Sequence, residues 1–209
     1  MESMLSGKCL KAWLTGLITC LLVIPICFRW LDLPLAQAFQ HNLGRMMGRG
    51  LPSTIILAGE FAVATTLAVI RMVRGRLPEP GKVLMIAILA SIAAFTANNY
   101  VLKILFGVPQ PLEILFQSAH HGPHLMAGNP ASSFPSGHMA LAGGFSGVWI
   151  RLYPSATPVF AALLAVGMAI LVAGDWHFAS DVVAGTFIGV TAGLMADALW
   201  AAHSASRRD

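Results

Sequence analysis

Six apolar stretches set the limits on what this chain can fold into, at residues 12–28, 51–70, 83–102, 138–152, 156–174 and 182–202. A helix that crosses a bilayer needs roughly 20 consecutive apolar residues, with about 17 to 25 common. The fourth stretch is short by that measure, so its helix starts before His138 or lies where the membrane is thin. No loop between the stretches has the look of a folded domain. The sequence therefore predicts one all-α domain over 1–209, a bundle of six transmembrane helices. Composition agrees. Only 11% of the residues are charged, where soluble domains carry about 25%. That excludes a separate soluble catalytic domain and argues against a soluble cytoplasmic protein. The basic residues form no stripe suited to nucleic acid. Cys9, Cys20 and Cys27 lie in or beside the first stretch and read as small apolar filler rather than a disulfide framework. The stretch 12–28 is long for a signal peptide and no small-residue cleavage site follows it, so it reads as a retained span.

Charge placement predicts topology. Lys8, Lys11, Arg71, Arg74, Arg76, Lys82, Arg151, Arg207 and Arg208 fall on one side, nine in all, against four on the other, Arg29, Arg45, Arg49 and Lys103. Both termini are expected in the cytoplasm, with loops 29–50, 103–137 and 175–181 outside. The first of these, which holds His41, reads as an interfacial segment. Glu60 and Asp197 fall inside spans, where an ionisable group is expensive; interhelical hydrogen bonding is the plain account of both. Gly143 and Gly147 on span four, and Gly185, Gly189 and Gly193 on span six, recur every four residues and favour close helix packing.

Polar groups gather on the outward side: Lys103; His120, His121 and His124; Ser136, Gly137 and His138; Asp175, His177 and Asp181. His177 and Asp181 are four apart and would share a helix face if the helix already runs at His177. The carboxylate would then orient the imidazole and raise the basicity of its other nitrogen. Alone, the pair reads equally as a helix-capping histidine beside a solvated aspartate. Pro135–Ser136–Gly137–His138 fits a helix start, with Ser136 as cap and outward-pointing first-turn amides suited to an oxyanion. Gly137 lets the backbone approach a ligand. Together these describe a phosphate-sized pocket with two histidines. Trp176 and Phe178 read as interfacial anchors, and Asp175 reads as lying away from the pocket. The three loop histidines read as polar residues at the membrane surface, with a role for one of them on phosphate left open.

On these residues the chain resembles the type 2 phosphatidic acid phosphatase superfamily. That family's pattern is Lys, six residues, Arg-Pro; then Pro-Ser-Gly-His; then Ser-Arg, five residues, His, three residues, Asp. The second block is complete at 135–138. The first keeps Lys103 and Pro111 with Gln110 for arginine. The third keeps His177 and Asp181, with Ile170 and Leu171 for Ser-Arg. The resemblance implies His177 as nucleophile, Asp181 as its orienter and His138 as general acid and base. It implies phosphate binding by Lys103, Ser136, Gly137 and Gln110, with no metal and no cofactor. It further implies a phospholipid or prenyl-phosphate substrate (undecaprenyl pyrophosphate, phosphatidylglycerophosphate, phosphatidate or lipid A) at the outer face of a bacterial inner membrane. A lipid-linked phosphotransferase and a non-catalytic lipid-binding or transport protein are the competing readings.

Overall fold

The computed structural model describes residues 7–42, 52–117 and 120–206. Arg45, Arg49, Arg207 and Arg208 lie outside them, as do the side chains of Lys8, Cys9, His41 and Asp197. Every regular element among the described residues is helical. α1 (Gly7–Ile26) runs through a π-helical turn, Cys27–Leu31, into α2 (Asp32–Asn42). α3 (Ser53–Arg74) ends on Gly75 at φ 71°, a left-handed cap that glycine takes without strain. Pro80, inside its first turn, suits the start of α4 (Glu79–Ala97), where the missing amide hydrogen is not needed. A second π turn, Asn98–Leu102, leads into α5 (Lys103–Phe106), followed by α6 (Pro111–Gln117). α7 (Gly137–Leu152), α8 (Thr157–Ala173) and α9 (Ala179–Ser206) complete the chain.

Five helical stretches are long and apolar enough to cross a membrane: Leu10–Gln40, Ser53–Arg74, Glu79–Phe116, Pro154–Ala173 and Ala179–Ala196. The sixth member of the bundle, α7, has 16 residues, about 24 Å at 1.5 Å per residue. It is the most enclosed helix, packed against α9 and α4, with few side chains left for lipid. α3 buries none of its residues, and Leu21 and Leu22 on α1 are 63% and 62% exposed. The interior holds polar residues beside its apolar clusters: Ser91, Asn98, Lys103, Ser133, His177 and Asp181 are buried. So much exposed apolar surface, with polar residues enclosed, suits surroundings of hydrocarbon.

Two seams bring the distant polar stretches together. α7 and α9 meet along the glycines picked out above: a Cβ on Gly143 would lie 2.8 Å from Thr186 O, and one on Gly147 would lie 2.7 Å from Val190 O. At α4, Ser91 Oγ lies within hydrogen-bond distance of both Glu60 Oε1, at 2.7 Å, and Leu141 O, at 2.9 Å. Glu60 therefore serves the interhelical bonding expected of it.

Candidate active site

α7 starts where the sequence places it. Ser136 is the N-cap, its Oγ accepting from Met139 N at 3.4 Å. Its own amide donates to Asp181 O at 3.0 Å. Ser136 therefore ties α7 to α9, and its amide is engaged. Among the first-turn amides, that of Gly137 has no acceptor within the helix. Gly137 was expected to leave room for a ligand. Asn99 also needs the room, since its Oδ1 would stand 2.9 Å from a Cβ there. Asn98 on the same π turn donates to Pro135 O at 2.9 Å. The two asparagines thus hold the approach to α7 from the end of α4.

His177 is not on a running helix. α8 ends at Ala173, Asp175 takes φ 55°, and α9 begins only at Ala179. The amides of Trp176 and His177 return to Leu171 O, at 3.1 and 3.3 Å. The His–Asp pair forms across the N-terminal turn of α9, with Asp181 at its third position. Asp181 Oδ2 accepts from Phe178 N at 2.8 Å, the reach-back half of a capping box. The same oxygen lies 3.3 Å from His177 Nδ1. Ser133 Oγ also donates to it, and stands 3.5 Å from His177 Nδ1. A carboxylate so placed favours the proton on Nδ1 and leaves the Nε2 lone pair for chemistry. The ring of His138 lies 5.8 Å from that of His177, centroid to centroid, at 74°.

The other predicted residues divide. Lys103 is buried beside this group, its Nζ donating to Pro130 O at 3.3 Å. Gln110 Nε2 donates to Ala131 O at 2.7 Å, and its backbone amide donates to Glu113. It braces the loop that carries Ser133. Leu171 packs with Met139, Leu164 and Val182, so an arginine there would enter an apolar cluster. Phe178 is buried and packs on His121, with ring centroids 4.8 Å apart, rather than anchoring at the interface. Trp176 is partly buried against the Met139 cluster. Asp175, placed away from the pocket by sequence, is buried two residues from His177. Ser133 was not singled out from sequence, although it stands in the same Ser-Ser-Phe-Pro-Ser-Gly-His run.

A cavity of about 960 Å³ opens beside the site, with Ile24, Phe28, Leu33, Phe106, Val108 and Phe134 in its wall. Arg29, His120 and His121 are its polar groups. Phe134 is two residues from Ser136, so the cavity adjoins the polar cluster along the chain.

Fold and site together define a membrane-embedded helical bundle with two histidines facing each other at one end. The sequence model of the PAP2 superfamily matches residues 83–205, more than half of the chain, and the protein belongs to that superfamily. Comparisons with curated proteins and with solved structures gave no match.

Proposed function

We propose that this protein hydrolyses a phosphate monoester or diphosphate on a membrane lipid through a phosphohistidine at His177. The observation that carries the reading is the His177–Asp181 pair, 3.3 Å apart, with His138 facing it. His177 Nε2 attacks phosphorus, and the bond from phosphorus to the leaving oxygen breaks. That oxygen takes its proton from His138. Water then attacks the phosphohistidine, gives a proton to His138, and the phosphorus–nitrogen bond breaks to release inorganic phosphate. Asp181 holds the positive charge that His177 acquires. Lys103 and the Gly137 amide would meet charge on the phosphoryl oxygens as preorganised donors.

The cavity beside the site supports an amphiphilic substrate, its apolar wall suiting a lipid chain and Arg29 suiting an anionic headgroup. We place the site on the outer face of a bacterial inner membrane, with both termini in the cytoplasm. The test uses detergent-purified protein and a panel of phosphatidate, phosphatidylglycerophosphate, undecaprenyl pyrophosphate and lipid A. Wild type should release phosphate from at least one, and H177A and H138A should fall by at least about 10³-fold, the scale seen when a nucleophile or its acid–base partner is removed. Equal release by wild type and H177A would rule out the nucleophile. Label passing to a second lipid in place of water would identify a phosphotransferase.

A further inference from the structure

α9 begins with a residue that cannot cap it. Its N-cap is Phe178, whose carbonyl accepts the first helical bond from Val182 N at 3.3 Å and whose side chain has no acceptor. The amide that a capping side chain ordinarily serves is at the second or third helical position. Here that amide, Ser180 N, donates to Asp32 Oδ1 at 3.0 Å. Ser180 Oγ donates to Asp32 Oδ2 at 2.6 Å. Asp32 is 148 residues away in sequence, at the first position of α2, and is 1% exposed. Its charge lies at the positive end of the α9 dipole, where an anion is favoured.

His121 closes the arrangement. Its Nε2 is 3.7 Å from Asp32 Oδ2. Its ring stacks on Phe28 at 4.5 Å and lies 4.8 Å from Phe178. The segment 177–181 is thus held on one side by Ser133 and on the other by Asp32. Asp32 also lies outside the stretch matched by the superfamily.

We infer that Asp32 is a positioning residue for His177: it caps α9 from another helix and so fixes the turn on which His177 meets Asp181. The inference rests on the proposed role of His177. Removing the carboxylate leaves two donors of Ser180 unpaired and frees the turn. The distance from His177 Nδ1 to Asp181 is then no longer set, while the groups that would hold phosphate are untouched.

The test compares D32A, D32N and S180A with wild type, and with E60A, which breaks a partly buried bond in the α3–α4 packing. D32A should lower kcat at least about tenfold, the scale of one charged hydrogen bond, with KM within about twofold. D32N, which keeps an acceptor for Ser180 N, should recover part of that loss. In protein labelled with 15N-histidine, His177 should show one Nδ1-protonated tautomer in wild type and a mixture in D32A. E60A should lower the melting temperature and leave both kcat and the His177 signal unchanged. If D32A fails to fold, D32N and S180A carry the comparison. A wild-type kcat and His177 spectrum in the D32 and S180 variants would overturn the inference, as would losses that E60A matches in proportion to its melting temperature. If wild type hydrolyses nothing in the panel, the proposed reaction fails, and the nitrogen spectra still decide the role of Asp32.

Discussion

Asp175 combines three costs at one residue. It takes φ 55°, a left-handed conformation that aspartate tolerates better than most side chains. It is 2% exposed, and neither carboxylate oxygen has a hydrogen-bond partner among the described residues. Burial pushes its pKa up from 3.8 to about 6. A folded-state pKa above the unfolded value means that the folded protein holds the proton more tightly, so unfolding releases it between about pH 4 and 6. The contribution to stability is therefore complete below the unfolded value and lost as pH rises through about 6. Asparagine accepts the same backbone conformation and carries no charge to desolvate. D175N should accordingly melt several degrees above wild type at about pH 7.5, since 1 kcal/mol is worth about 2–4 °C in a domain of this length. The gap should close as pH is lowered from about 6 toward 4. Thermal melts of the two detergent-solubilised proteins across that range decide it; a gap independent of pH would show that the carboxylate is not the cause.

The α7–α9 seam shows how much could be read from sequence at the level of elements. The four-residue glycine spacing pointed to close packing of spans four and six, and these helices do pack along those glycines. A Cβ on Gly189 would stand 2.5 Å from Ala140 O and 2.8 Å from Gly143 Cα, both backbone atoms that cannot turn aside. G189A should cost about 1–3 kcal/mol, the usual range for overpacking, and should also reduce activity, because α7 carries His138 and α9 follows His177. Gly59 on α3 is the control: a Cβ there meets nothing within 4 Å, so G59A should be neutral or stabilise by about 0.5–1 kcal/mol through helix propensity. Comparing the melting temperatures of the two variants tests this, and a G189A protein as stable as wild type would mean that the seam is loose. Helix ends were less legible. His-x-x-x-Asp looks the same whether the histidine is on the helix or before it, and the positive φ at Asp175 that breaks the chain there leaves no periodic trace. Ser133 and Asp32 were out of reach for another reason. Their partners are 48 and 148 residues away, and no local pattern marks a bond that only the folded bundle creates.

At the level of the molecule, contacts gather the predicted outward loops at one end of the bundle. Asp32 meets Ser180, Asn98 meets Pro135, and Ser136 meets Asp181. Arg71, Arg76 and Lys82 lie elsewhere, around the α3–α4 turn, where they line one small cavity with Trp200 far along α9. The histidine end and this basic end are thus separated by the length of the helices. Basic residues near span ends are retained on the cytoplasmic side, so this separation is what the proposed outward orientation of the site requires. Two single-cysteine proteins test it, with Cys9, Cys20 and Cys27 replaced by alanine. Leu125, 66% exposed in the loop after α6, becomes the outward reporter in L125C. Ser155, exposed in the turn between α7 and α8, becomes the inward one in S155C. In intact bacterial cells whose outer barrier admits small reagents, a membrane-impermeant maleimide should label L125C at once. It should reach S155C only after the inner membrane is opened. The reverse pattern would put the histidines in the cytoplasm, where a substrate displayed on the outer leaflet could not reach them, and the proposed location of the reaction would fall even if its chemistry stood.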